Sequence, residues 1–202
     1  MDMKAGGAVN RSKYDQIIRA AVAEFQDRGF AATSMDRICA EAEVSKRTLY
    51  KYFESKDNLF QSIVGLMADR FADALTQKFN PDRDIREQLT ELAWAEGRLL
   101  ISADVMAMAR MVISQVLLSP ELGALVQDRV DSHSVFFHMM RDADAAGHLV
   151  IDDPDRAANE FIALIKAKAF WPVILGGPML TEDQMSDLVQ HTVDMIMSRY
   201  AP

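Results

Sequence analysis

Cysteine occurs once in the 202 residues, at Cys39. A single thiol excludes an internal disulfide framework and fits a reducing, cytoplasmic compartment. Glycine and proline are scarce, at nine and six, and β-branched runs are few, which excludes turn-rich all-β architectures and leaves an all-α chain. No uncharged apolar run approaches the ~20 residues a membrane span requires. The nearest, 161–175, is interrupted by Lys166 and Lys168. The opening MDMKAGGAVNRSK has no apolar core of a secretory signal. HExxH spacing, a glycine-rich phosphate loop and a nucleophile elbow are all missing, and His133, His138, His148 and His191 have no cysteine nearby. His133 and His138 with Asp131 come nearest to a metal set, but surface or packing roles suit them better. The expectation is therefore no catalytic residue, no metal and no cofactor.

What the chain does have is helical periodicity, and it is densest from Thr33 to Phe60. Met35, Ile38, Cys39 and Ala42 recur at helical spacing, with Thr33 or Ser34 available as cap. Glu43 and Val44 make a turn, Ser45 caps a second helix reaching about Phe53, and Ser55 caps a third beginning at Lys56-Asp57. Two helices joined by so short a turn form a helix-turn-helix, whose second helix can enter the DNA major groove. Stepping that second helix at 100° per residue puts Lys46, Arg47, Tyr50 and Lys51 on one arc and Leu49 with Phe53 together outside it. Cations can reach guanine edges, and Thr33, Ser34, Ser45, Thr48, Tyr50 and Tyr52 offer hydroxyls to phosphate, with Lys56 at the start of the next helix. A solvated cationic face is the bland alternative.

The order of residues sharpens this reading. Ile38-Cys39-x-x-Ala42-x-Val44-Ser45-Lys46-x-Thr48-Leu49-Tyr50-x-Tyr52-Phe53-x-Ser55-Lys56-x-x-Leu59 resembles the N-terminal signature of the TetR family of bacterial transcriptional regulators. The likeness extends back through Ala20-Ala21, Phe25, Gly29-Phe30 and Thr33-Ser34, covering about residues 11–60. Two positions depart from the pattern: Glu43 stands where the turn usually has Gly, and Cys39 where Ala is common. A non-Gly residue at positive φ costs about 1 kcal/mol or more. Ser119–Leu122 (SPEL) and Asp152–Pro154 (DDP) resemble, more weakly, the branch that includes multidrug-efflux regulators.

Net charge divides at the same place. Residues 1–60 hold ten Lys/Arg against nine Asp/Glu, and residues 61–202 hold twelve against twenty-one. Indiscriminate nucleic-acid binding grows with phosphate neutralisation, so DNA contact must be local. The expected organisation is a disordered arm (1–10), a three-helix reader with the start of a fourth helix (11–60), and a larger helical ligand-binding and dimerisation domain (61–202). The helices are expected at Ser12–Arg28, then the two of the reader, Lys56–Phe79, Asp84–Leu100, a sixth ending at Leu118, Pro120–Ala146, Asp153–Leu175 and Thr181–Arg199, with Pro172 bending or ending the eighth.

Ten of thirteen methionines lie beyond residue 60, which suits an adaptable apolar cavity as well as ordinary core filling. The resemblance implies an effector pocket enclosed by the fourth to eighth helices, for which Met67, Phe71, Trp94, Met111, Gln115, Phe137 and Phe161 are candidates; Arg98 and Arg110 are secondary ones. It also implies a homodimer through the last two helices, with Ile165, Ala169, Leu188, Val189, Val193 and Ile196 offered for the interface. Together these make a repressor released from a palindromic double-stranded DNA operator by a small apolar or amphipathic effector, with no membrane partner. The alternatives are a small-molecule binding protein on the same scaffold without DNA function and a metal-dependent helical enzyme.

Overall fold

The computed structural model describes residues 5–118, 126 and 132–202, with side chains from residue 13 onward. Ten helices are described: α1 Ala5–Arg28, α2 Met35–Glu41, α3 Lys46–Tyr52, α4 Lys56–Ala74, α5 Ile85–Leu100, α6 Ala103–Leu118, α7 His133–Ala145, α8 Pro154–Ala169, α9 Trp171–Ile174 and α10 Glu182–Tyr200. No strand occurs among the described residues. The chain is all-α, as its composition and periodicity imply. It divides into two compact units. One takes the residues up to Met67 with those of α6 from Ala107 onward; the other takes Ala68–Met106 and the residues described from Ser132. These divisions fall inside α4 and α6.

In the first unit α1 buries Ile17, Ile18, Ala21, Val22 and Phe25. Gly29, at φ 79°, stops it, and its N–H closes onto the Phe25 carbonyl at 3.0 Å. At the other end α1 begins at Ala5, so residues 5–10, expected as an irregular arm, have helical backbone. Gly6 and Gly7 fall in the first turn, where neither has left-handed φ. Ser34 caps α2 by accepting the Arg37 N–H at 3.3 Å, and Ser45 caps α3 by accepting the Thr48 N–H at 3.1 Å.

Between these helices Glu43 takes φ 48°, the only non-Gly residue described with positive φ. Glu43 N–H bonds to Ala40 O at 3.2 Å and Val44 N–H to Cys39 O at 3.0 Å, the paired pattern of a Schellman stop. The turn that families of this kind build on Gly is therefore built here on a strained Glu.

The second unit is held by apolar contacts among α5, α7, α8 and α10. Phe136 of α7 meets Phe161 of α8 edge-to-face at 5.1 Å, and both are fully buried. Gly97 lets α5 close onto α10: a Cβ there would stand 3.0 Å from Met185 Sδ. Thr181 and Gln184 form a reciprocal capping box at the start of α10, and Asp153 with Pro154 starts α8. Gly147, at φ 75°, stops α7.

Several helix limits differ from expectation for identifiable reasons. α4 ends at Ala74, not Phe79, because the chain after it wraps a buried glutamine: Gln88 Nε2 donates to the carbonyls of Asn80 at 2.9 Å and Arg83 at 3.2 Å, and Gln88 Oε1 accepts the Asn80 N–H at 2.7 Å. At 19 residues α4 is about 28 Å long. Pro172 ends the eighth helix rather than bending it: α8 stops at Ala169, Phe170 has φ −105° and ψ −62°, and α9 restarts with Pro172 in its first turn. A continuous helix over 120–146 is not found, since Ser132 lies outside α7. The proposed start at Ser119-Pro120-Glu121, and SPEL with it, lies outside the described residues.

Replacing Glu43 by Gly should stabilise the fold by about 0.5–1 kcal/mol, the relief of left-handed strain exceeding what glycine adds to unfolded-state freedom. Urea denaturation of both proteins checks this, and an unchanged or lower midpoint contradicts the strain at this turn.

Candidate nucleic-acid interface

The site is built on α3. Leu49 and Phe53 are buried beneath it, with Tyr14 against Phe53 at 5.2 Å, and this fixes which face looks outward. Lys46, Arg47, Tyr50 and Lys51 are all exposed, Tyr50 at 49%. Three cations and a phenol therefore share one solvent-facing arc, as the 100° spacing implies. Ser45 and Thr48 flank it, their hydroxyls 2.8 Å apart. Ser34 is exposed beside them, and Tyr52 is half-buried, edge-on to Tyr14 at 6.2 Å.

Among the described residues Lys46 alone on the arc has a carboxylate partner: its Nζ lies 2.8 Å from Asp36 Oδ2, across from α2. The hydrogen bond and charge of Asp36 raise the Lys46 pKa, so the ammonium stays protonated. Burial and the same Asp36 raise the Cys39 thiol, which keeps it an inert core residue.

Two residues expected at the interface face inward. Thr33 is 3% exposed, and its hydroxyl lies 3.0 Å from Glu24 O and 2.9 Å from Gly29 O, tying the end of α1 to the start of α2. Lys56 uses its ammonium on three carbonyls, Phe30 at 2.5 Å, Thr33 at 2.9 Å and Ala31 at 3.3 Å. It also sits 4.5 Å from the Phe30 ring centroid. An ammonium has three N–H groups, so none is left for a phosphate. Both side chains are engaged within the reader.

The candidate effector residues separate between the units: Met67, Met111 and Gln115 in the first, Phe71, Trp94, Phe137 and Phe161 in the second. Met67, Phe71, Met111, Gln115 and Phe161 are buried, and Gln115 Nε2 donates to Ser114 Oγ at 3.3 Å. Trp94 and Phe137 are half-buried beneath guanidinium groups, Arg98 and Arg141, each 5.8 Å from its ring. A cleft of about 390 Å³ in the second unit is lined by Arg70, Asp73, Ala74, Arg98, Leu99, Ser102 and Val105, none of them in the expected set except Arg98 as a secondary candidate.

Sequence reasoning missed Glu96. It is 0% exposed on α5, neither carboxylate oxygen has a hydrogen-bond partner among the described residues, and Lys166 Nζ of α8 stands 3.4 Å from Oε1 as its ion-pair partner. Lys166 in turn donates to Ser132 Oγ at 3.2 Å. Burial raises the Glu96 pKa, opposed by Lys166. A glutamate within a helix carries no local signal of burial, which is why the pattern Trp94-Ala95-Glu96-Gly97 did not single it out. Among the described residues no group of three or more His, Cys, Asp or Glu could hold a metal ion; His133 pairs instead with Asp155 at 3.3 Å. No single described helix is long and apolar enough to cross a membrane.

The six residues expected at a dimer interface, Ile165, Ala169, Leu188, Val189, Val193 and Ile196, are buried within the subunit. Five of them form the inner stripe of α8 and α10, and Ile196, though buried, also lines the groove on the outer face. The outer face instead carries a mainly apolar groove of about 420 Å³, lined by Glu160, Ala163, Leu164 and Ala167 of α8 and by Met195, Ile196 and Arg199 of α10. Met195 is 56% exposed there.

A capped helix-turn-helix with a cationic outer arc defines a DNA-binding transcriptional regulator, and comparison with known proteins gives the family. Residues 17–63 match the model for bacterial regulatory proteins of the tetR family, and residues 87–202 match that for the C-terminal domain of AefR-like transcriptional repressors. The chain belongs to the TetR family of transcriptional regulators. The solved structure of a TetR family regulator from Pseudomonas syringae pv. tomato str. DC3000 is 37% identical, with TM-score 0.75 over 93% of this chain and 96% of that one. The flavonoid-responsive regulator FrrA is 29% identical, with TM-score 0.69 over 95% and 98%. The HTH-type transcriptional activator FasR of Mycolicibacterium smegmatis (strain ATCC 700084 / mc(2)155) is 35% identical over 74 residues, 37% of this chain and 34% of FasR. The chain thus spans about a third of the length of that curated relative.

Glu96 generates a pH prediction. Burial lifts its folded-state pKa above the ordinary glutamate range, so the fold holds this proton more tightly than the unfolded chain does. Stability therefore falls as pH rises from about 4.5 toward the folded pKa. In Glu96→Gln that loss is absent, so the difference between variant and parent should shift in the variant's favour across this window and then level off. Urea midpoints from pH 4 to 8 check it; a difference independent of pH contradicts it.

Proposed function

We propose that this regulator is a homodimeric repressor that binds a palindromic operator through α3 and leaves it when a small molecule binds. The observation that carries the DNA reading is the outward arc of Lys46, Arg47, Tyr50 and Lys51 above buried Leu49 and Phe53. Ser34, Ser45, Thr48 and Tyr52 flank the arc and supply phosphate contacts. The printed description of the C-terminal match, a repressor, supports repression, whereas FasR is an activator.

Dimerisation uses the outer groove of α8 and α10. Ala163 and Ala167, one turn apart, leave room for a partner helix, and exposed Met195, Trp171 and Leu175 add apolar area. Two readers then meet half-sites about 34–36 Å apart.

The effector is a small apolar or amphipathic molecule, and Met67, Phe71, Trp94, Met111, Gln115, Phe137 and Phe161 remain its candidate contacts. Glu96 and Lys166 support a hydroxyl-bearing one: the pair is neutral overall, and a hydroxyl can both donate to the unbonded carboxylate and accept from the ammonium. FrrA is flavonoid-responsive, and flavonoids carry such hydroxyls. Release requires the effector to bind the DNA-incompetent state more tightly. α4, continuous from the reader's edge at Lys56 to Ala74, is the element whose tilt would carry the change. The competing reading, a small-molecule binding protein without DNA function in the same cytosolic setting, requires that no site-specific shift occur.

Lys46→Ala combined with Tyr50→Ala should reduce binding to duplex DNA flanking the protein's own gene by at least tenfold in a mobility-shift assay, with the dimer intact by light scattering. Unchanged affinity refutes this docking face. Conversely Ala163→Glu with Ala167→Glu should yield a folded monomer; a persistent dimer would place the interface elsewhere.

A further inference from the structure

The ion pair between Asp36 and Lys46 lies on the DNA-facing side of the reader yet does little for the fold. Its side chains are 62% and 65% exposed, and exposed pairs contribute little to stability. Helix α2 is already capped by Ser34, and α3 by Ser45. Asp36 lies in the first turn of α2, where a carboxylate suits the helix dipole without needing any partner. What the pair does change is the charge that DNA meets. Of the three arc cations, Lys46 is held at 2.8 Å by a carboxylate ten residues away, while no ion pair engages Arg47 or Lys51 among the described residues.

On the DNA-binding reading given above, we propose that Asp36 is a specificity-determining residue that withholds Lys46 from sequence-independent phosphate contact. For a phosphate to capture Lys46 it must displace one anion by another and then face the freed Asp36. The exchange gains little, so generic duplex is gripped by two cations rather than three. Base edges at the proper site are another matter. Lys46 can donate to guanine O6/N7 while Asp36 accepts from cytosine N4–H, so both charges keep a partner there. The pair thus lowers the background against which the operator competes, which is the quantity that governs occupancy in a genome. A chain whose net charge is −8 gains selectivity from the same logic at one residue.

The experiment uses the full chain and two probes: random-sequence duplex DNA, and duplex from the region flanking its own gene. Asp36→Asn should bind random duplex about three- to tenfold tighter, with a salt slope steeper by about 0.9, the value of one added phosphate contact. Affinity for the flanking duplex should rise less, so the ratio of the two falls. Asp36→Asn with Lys46→Ala should return the slope to the parent value, and Asp36→Ser should repeat the Asn result. An unchanged slope in Asp36→Asn overturns the proposal, as does equal weakening on both probes, the outcome for a merely structural aspartate. A parent protein that binds neither duplex overturns the DNA reading and this inference together, whereas parent binding with an unresponsive Asp36→Asn overturns this inference alone.

Discussion

One ammonium group ties three helices of the reader together. The Lys56 side chain gathers the carbonyls of Phe30, Ala31 and Thr33 from the loop between α1 and α2, and lies against the Phe30 ring. Phe30 in turn packs on Phe25 of α1 and Phe60 of α4, at 5.1 and 5.5 Å. Helices α1, α2 and α4 are therefore tied at one point, by charge-assisted hydrogen bonds around an apolar ring. Short helices such as α2 and α3, seven residues each, have no independent stability. They persist because this knot, the two serine caps and the Schellman turn fix their ends, and because Leu49 and Phe53 fill the space beneath.

Much of this was legible in the sequence, and the limits of what was legible are physical. Caps, stops and the apolar stripe of α3 depend on neighbours within four residues, so Ser45, Gly29, Gly147 and the Thr181 box could be read directly, while the cap of α2 stayed open between Thr33 and Ser34. Thr33 and Lys56 could not. Their residue types suit phosphate contact, and only long-range packing turns them inward, to partners up to 26 residues away. The end of α4 escaped for the same reason, because Gln88 organises a loop that precedes it in the chain. Glu96 is the extreme case: nothing adjacent to it announces a buried charge.

The two apolar stripes of α8 illustrate a different ambiguity. Ile165 and Ala169 point one way, and Ala163 and Ala167 nearly the opposite way. Both stripes are apolar, so periodicity predicts a helix that is buried on two sides without saying which side faces its own subunit. The structure resolves this: Phe161, Ile165 and Ala169 are buried within the subunit, and Ala163 and Ala167 are exposed. On α10 the division is clearer, with Val189 and Val193 inward and Asp194 and Met195 outward.

That division has a thermodynamic consequence. α8 and α10 carry the core of the second unit on one face and the groove on the other, so any partner seated in the groove leans on the same helices that hold the fold. Its binding free energy adds to the stability of those helices by mass action, and their stability depends on protomer concentration if the partner is a second copy. The unhydrogen-bonded Glu96 sits in that same unit, reached by Lys166 on the inner side of α8. A ligand group that satisfied the carboxylate would relieve a cost the unit otherwise bears. On the proposed function, effector, subunit contact and core packing would all act on one helix, and displacing α8 through any of them would be felt by the other two.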